Sequence, residues 1–154
     1  SPDTNGNVAQ NIGEQTGKGF ELSVKWQLLQ QLNIEANYAF IDAQNTANDD
    51  VPDIANKQTF IAVNWSPAEN WHFHFRQNHI ADRLRSKIDT RANIDDYTVS
   101  FAKVQYSNLT LGLNISLIGR NMFNENARSP SNGSIPEDYP LAGRQLLLEL
   151  NYQF

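Results

Sequence analysis

The chain has 154 residues and a formal net charge of −5. That is room for one domain with a sizeable core, and the acidic balance gives nucleic-acid binding no electrostatic support. It contains no cysteine, which excludes a disulfide framework and a thiolate metal site.

No apolar run approaches the roughly 20 residues of a membrane-spanning helix, and no charged–apolar–small signal segment opens the chain. Ser1-Pro2-Asp3 reads as a mid-protein boundary. In chain order, a short fragment before Gly13 is a candidate strand. Phe20, Leu22, Val24, Trp26 and Leu28 then alternate with Glu21, Ser23, Lys25 and Gln27. After Gln30-Gln31, a second stripe runs Leu32, Ile34, Ala36, Tyr38 and Phe40. Thr59, Ile61, Val63 and Trp65 form a third. Trp71, Phe73 and Phe75, interleaved with His72, His74 and Arg76, form a fourth. Tyr97, Val99 and Phe101 begin a fifth, which loses phase near Lys103–Tyr106 and leaves room for a bulge there. After a turn at Ser107-Asn108, the sixth stripe reads Leu109, Leu111, Leu113, Ile115 and Leu117. The seventh closes the chain: Leu146, Leu148, Leu150, Tyr152 and Phe154.

Period-two alternation of this kind predicts strands with one apolar and one polar face, and no stretch has helical periodicity. Strands of about 12 residues are long for a water-soluble domain, where roughly 5–6 is common. Tilted by 45°, such a strand spans roughly 28 Å, the depth of a hydrocarbon core. Connections alternate in length: Gln30-Gln31, Pro67–Asn70 and Ser107-Asn108 are short, whereas Ala43–Ala55, Ala81–Asp95 and Asn121–Leu141 are long and polar. Short periplasmic turns and long external loops are the pattern of outer-membrane barrels. Trp26, Trp65 and Trp71 lie on the apolar parity near short turns, with Tyr106, Tyr152 and Phe154 at the same end, as an inner aromatic girdle requires. A soluble ligand-binding barrel is the competing reading, but its outer face would carry abundant Lys and Glu. Here the polar face is mainly Asn, Gln, Ser and Thr.

Several segments resemble the carboxyl-terminal part of TonB-dependent outer-membrane receptors. Gly17-Lys18-Gly19-Phe20-Glu21 resembles a Gly-x-Glu strand opening of that family. Asn37–Ala43 is similar to its "asYtytda" strand, Val51-Pro52 to a loop ending, and Ile94–Val99 to its "gYtvvd" strand opening. Arg120–Asn124 resembles an Asn-Leu-Phe-Asp/Asn segment. Pro140–Arg144 resembles the Pro-x-x-Gly-Arg lead into a last strand, and Tyr152-Gln153-Phe154 its ending. The resemblance implies an all-β, antiparallel up-and-down transmembrane β-barrel fragment, about 7–8 strands of a barrel of about 22. On this reading residues 1–154 are its carboxyl-terminal part, and the plug domain and earlier strands are absent. It further implies energy-coupled uptake of an iron chelate, another metal complex, cobalamin or a carbohydrate. The implied partners are outer-membrane lipid and lipopolysaccharide, the barrel-assembly machinery, and the TonB complex acting only through the missing plug. No cofactor is implied, and the location is the bacterial outer membrane. The alternative is a complete small eight-stranded outer-membrane barrel with a structural or adhesive role.

Candidate chemistry is sparse. His72 and His74 point to one face and are weak candidates for a metal site, with no third ligand nearby in sequence. His79 falls near the outer rim, where an interfacial place outweighs function. Asp42, Asp49, Asp50 and Asp53 gather in one loop, but their spacing fits no EF-hand. Arg83, Arg85, Lys87 and Arg91 gather in the next loop and are candidates for contact with lipopolysaccharide phosphates or an anionic ligand. Asp82, Asp89, Asp95 and Asp96 are placed to neutralise them. Gly112 and Gly119 mark a bend or close packing rather than a phosphate loop. No nucleophile motif such as G-x-S-x-G occurs, so an enzyme is not expected. Leu148, Leu150, Tyr152 and Phe154 form the candidate assembly signal: an unpaired final strand can be read by edge addition.

Overall fold

The computed structural model describes residues 14–45, 51–52, 54–85, 89–131 and 136–153. The alternating stripes form one seven-stranded antiparallel sheet. Its strands are β1 (Gln15–Leu29), β2 (Leu32–Asn45), β3 (Ala55–Ala68), β4 (Trp71–Arg83), β5 (Tyr97–Asn108), β6 (Leu113–Arg120) and β9 (Gln145–Tyr152), paired in that order. Within the last long loop, β7 (Arg128–Ser129) and β8 (Tyr139–Pro140) make a two-stranded ladder. The strand candidate before Gly13 lies outside the described residues.

Register carries the stripes into two faces. Phe20 pairs with Phe40, Leu22 with Tyr38 and Trp26 with Ile34. Leu32 then pairs with Trp65, and Trp65 with Phe73. Toward the opposite edge of the sheet, on the same face, Leu117 pairs with Leu148, Ile115 with Leu150 and Leu113 with Tyr152. This face stays open: Leu148 is 73% and Leu150 67% exposed. A contiguous apolar surface of this kind needs lipid or protein against it. At the short-turn end the aromatics touch in a belt. Trp65 meets Phe73 at 5.3 Å, Trp71 stacks on Phe73 at 6.2 Å, and Trp71 meets Tyr106 at 5.1 Å between ring centres. Phe154, expected in the same belt, lies outside the described residues.

Two expectations are corrected. No bulge interrupts Lys103–Tyr106: β5 pairs without a slip with β4 from Tyr97 to Tyr106 and with β6 from Phe101 to Asn108. The lost phase is a change of face. Tyr97, Val99 and Phe101 sit opposite Ile80, Asn78 and Arg76 on the polar side, whereas Val104 and Tyr106 sit opposite Phe73 and Trp71 on the apolar side. The cause is a cover over the upper apolar face. The Met122 amide donates to the Ser100 carbonyl at 3.2 Å, and the Met122 sulfur occupies the place a Cβ on Gly119 would take. That cover demands small residues beneath it, and Ser100, Ala102 and Gly119 supply them; Ser100 is 1% exposed. The register slips fall instead near the turns, at Gln27/Leu29 and Trp65/Ala68.

The second correction concerns the turn expected at Ser107-Asn108. β5 runs through Asn108, and the reversal is a 3-10 turn at Leu109–Leu111 followed by Gly112. Leu109 and Leu111 therefore lie outside the stripe that begins at Leu113. The Asn108 side-chain oxygen accepts the Leu111 amide at 3.2 Å. Gly112 has φ of 63°, and a Cβ there would stand 2.1 Å from the Gln153 carbonyl oxygen. Glycine alone fits both demands.

Candidate functional site at the long-loop rim

The arginines expected to form a basic cluster do converge where β4 leaves the sheet. Asp82 has φ of 54°; its carboxylate pairs with Lys57 at 2.7 Å, and its amide donates to the Asp96 carboxylate at 2.9 Å. Past this bend Arg83 turns inward and is 5% exposed. Its guanidinium lies over the Tyr97 ring at 4.7 Å and donates to the Arg128 carbonyl at 2.7 Å and the Asp95 carbonyl at 2.5 Å. Arg83 thus ties three segments together through their backbone.

Arg85 and Arg91 reach a partner far away in sequence. Arg85 grips the Asp138 carboxylate with both terminal nitrogens, one at 2.8 Å, and its Nε donates to the Ala92 carbonyl at 2.6 Å. Arg91 donates from Nε to Asp89 at 2.9 Å and from Nη1 to the Ser131 hydroxyl at 3.0 Å; the same Nη1 lies 3.7 Å from Asp138. The Ser131 amide also donates to Asp138 at 3.1 Å. Arg128 pairs with Glu137 at 3.0 Å. Two-pronged guanidinium–carboxylate bonds are strong and directional, so this network ties Arg85 and residues 89–92 to the segments flanking the β7–β8 ladder. The hydrogen bonds from Arg85 hold the Asp138 carboxyl well below the usual carboxylate range. Those from Arg91 hold Asp89 at about 2. Arg85, in turn, is held above its ordinary value, chiefly by the bond to Asp138. A cleft of about 330 Å³ opens beside the lock, lined by Arg85, Arg91, Asn93, Asn126, Arg128 and Asp138.

Of the acids expected to neutralise the cluster, Asp89 does so. Asp82 pairs with Lys57 instead, Asp96 binds a backbone amide, and Asp95 contributes its carbonyl. Asp138 was invisible to spacing arguments, being 53 residues from Arg85. Lys87 lies outside the described residues, as do Asp49, Asp50 and Asp53; Asp42 stands in β2 opposite Lys18.

Elsewhere, His72 and His74 share the polar face. His72 Nδ1 contacts the Ser66 hydroxyl at 3.0 Å, and His74 Nδ1 the Asn64 side-chain oxygen at 2.7 Å. Among the described residues no trio of His, Cys, Asp or Glu is placed to hold a metal ion. His79 meets the Thr98 hydroxyl at 2.9 Å. Leu148, Leu150 and Tyr152 lie on the apolar face of β9, whose far edge has no strand beside it among the described residues.

The structure also joins two segments that sequence reading kept apart. Asn121 is 3% exposed, with φ of 47°. Its amide donates to the Glu125 carbonyl at 2.8 Å and the Ala142 carbonyl at 3.1 Å, while its oxygen accepts the Glu125 amide at 2.8 Å. Asn124, with φ of 55°, accepts the Arg144 amide at 3.1 Å. The Asn121–Asn124 turn is therefore a latch on the stretch that leads into β9.

The family model for TonB dependent receptor-like β-barrels matches residues 1–116. No curated protein sequence matches the chain. Among solved structures, the ferric-catecholate import receptor Fiu from Escherichia coli K12, in its closed form, superposes with a TM-score of 0.75 at 18% identity. The superposition covers 99% of this chain and 23% of that receptor, so the chain spans about a quarter of the receptor's length, and the likeness is one of fold.

Proposed function

Because the chain belongs to the TonB-dependent receptor β-barrel family, we propose that it is the carboxyl-terminal wall of a larger outer-membrane receptor. That receptor imports a scarce nutrient. The observation that carries this reading is the two-faced sheet: an open apolar face with an aromatic belt at its short-turn end, and a polar face behind it. Such a sheet fits a barrel wall with lipid outside and a polar lumen inside. An iron chelate heads the cargo classes, because the matched solved structure is named as a ferric-catecholate import receptor; another metal complex, cobalamin or a carbohydrate follows. Energy reaches the receptor from the TonB complex through a plug domain outside this sequence.

Three site assignments belong to the proposal. Arg83, Arg85, Lys87 and Arg91 stand at the outer rim as contacts for cargo or lipopolysaccharide, and the bonds of Arg83, Arg85 and Arg91 support a role in shaping the loops that make those contacts. Leu148, Leu150, Tyr152 and Phe154 present the final strand to the barrel-assembly machinery by edge addition. The belt of Trp65, Trp71 and Tyr106 seats the barrel at the periplasmic interface.

The test is made in the source organism. The native protein is extracted from the outer membrane and its intact mass measured, and the gene is deleted and nutrient uptake followed. A mass several times 17.4 kDa, together with loss of uptake of one cargo class, is the expected result. A native mass near 17.4 kDa, or unchanged uptake of every class, refutes the receptor reading.

A further inference from the structure

The chain holds a single sulfur atom, because it has one methionine and no cysteine. That sulfur sits in a built place. β6 ends at Arg120, and Asn121, with φ of 47°, turns the backbone so that the Met122 amide donates to the Ser100 carbonyl at 3.2 Å. The Met122 sulfur then rests against Gly119, where a Cβ would stand. Met122 itself is half-buried, and Phe123 beside it is 73% exposed, so the turn keeps an open side.

Ser100 lies beneath the same turn. It shares a face with Ala102 and Val104, stands opposite Gln77, and is 1% exposed. Its hydroxyl has no hydrogen-bond partner among the described residues. The cover demands a small side chain there, and Ala or Gly would meet that demand without burying a polar group. A hydroxyl buried unpaired costs stability, so packing does not explain Ser at this position. A donor without an acceptor therefore sits under a thioether, a group that gains an acceptor oxygen when it is oxidised.

We propose that Met122 is an oxidation site for a small peroxide, and that the Ser100 hydroxyl holds the resulting sulfoxide in the folded protein. The sulfur attacks one peroxide oxygen: an S–O bond forms, the O–O bond breaks, and a proton moves to the departing oxygen, which leaves as water. Sulfur gives up an electron pair and the peroxide takes it. Gly119 closes one side of the sulfur, so the new oxygen points away from it, and Ser100 supplies the buried donor. A polar sulfoxide ordinarily disrupts packing. Here one hydrogen bond offsets part of that cost, so the Asn121–Asn124 latch outlasts oxidation. The inference rests on the fold alone and not on the uptake reading.

The experiment treats the full-length native receptor in detergent with hydrogen peroxide, maps oxidised peptides by mass, and follows denaturant unfolding by tryptophan fluorescence. The peptide that holds Met122 is expected to gain one oxygen while the protein is folded. Before oxidation, Ser100→Ala should unfold at the wild-type midpoint or above it, because the hydroxyl has no bond to lose. After oxidation, it should lose about fivefold or more of its folded-to-unfolded ratio beyond the loss seen in wild type. Met122→Leu, close in volume, should abolish that difference, which separates Met122 from any other methionine of the receptor. Oxidation of Met122 only in the denatured receptor overturns the inference. So does a Ser100→Ala protein already weaker before peroxide, since its hydroxyl would then have a partner in the resting state. Equal losses in oxidised wild type and Ser100→Ala overturn it as well, as does a difference that survives Met122→Leu.

Discussion

Replacing Asn121 by Ala is expected to be among the most damaging single changes in the chain. Three hydrogen bonds vanish with the side chain: two donated to the carbonyls of Glu125 and Ala142, one accepted from the Glu125 amide. The site is buried, so water does not replace them. At about 1 kcal/mol each, their loss costs about 3 kcal/mol. Ala must also hold φ at 47°, which adds about 1 kcal/mol. The total, about 4 kcal/mol, is roughly a thousandfold in the folded-to-unfolded ratio. Asn121→Gly separates the two causes: it loses the same bonds without the conformational cost, and should be less damaging by about 1 kcal/mol. The assay is denaturant unfolding of the full-length protein in detergent, read by tryptophan fluorescence, with the rate of strand assembly followed in parallel. Wild-type stability in Asn121→Ala would refute the latch. Equal damage from Gly and Ala would refute the backbone contribution.

The rim network has a defined pH window. Asp89 is held at about 2 and Asp138 is also held low, so their folded-state pKa values lie below the ordinary carboxylate value of about 3.9. Their stabilising effect is complete above that ordinary value and fades as pH falls towards about 2. Protection from protease at Arg85 and Arg91 should hold from pH 8 to pH 5 and decline below about 4; loosening near pH 6 would contradict this. At the glycines, Gly112→Ala should harm the protein more than Gly119→Ala. The first meets a backbone carbonyl and a positive φ, whereas the second meets the movable end of Met122; comparison of unfolding midpoints tests the order. On β9, Leu148→Arg places a charge on the apolar face and should cost about 2–4 kcal/mol near mid-membrane depth. Leu147→Arg, on the polar face, should be tolerated, and equal effects in lipid would contradict the assignment of faces.

Much of the sheet was legible because period-two alternation survives wherever one face meets a uniform apolar environment. β1 to β3, the inner halves of β4 and β6, and β9 obey it, and short turns set the β1–β2 and β3–β4 pairings. β5 broke the pattern for a tertiary reason: Met122, from a later turn, covers its upper apolar face and leaves room only for small side chains. Phe101 was therefore grouped with the membrane face although it lies among His74, Arg76 and Arg120. The turn after β5 was misplaced because Leu109 and Leu111 continue the alternation of Leu113 by chance of spacing, while Gly112 forces the reversal. Asp138 and the latch at Asn121 were hidden because each depends on segments about 20 to 50 residues apart, which no local pattern reports.

These placements also redistribute the arginines between two jobs. Local sequence made Arg83, Arg85 and Arg91 the natural candidates to meet an anionic ligand, since they crowd one polar loop. In the folded chain Arg83 donates to backbone carbonyls, and Arg85 and Arg91 face Asp138 and Asp89. A ligand contacting Arg85 or Arg91 would have to displace a carboxylate already held by charge-assisted hydrogen bonds. Arg76 and Arg120 attracted no notice in sequence because they stand 44 residues apart on separate strands. Register alone brings them to either side of Phe101. A cation already matched at the rim contributes loop order. Removing Arg85 should therefore loosen the rim first, seen as faster proteolysis at Arg91, and alter any ligand affinity only through that loosening.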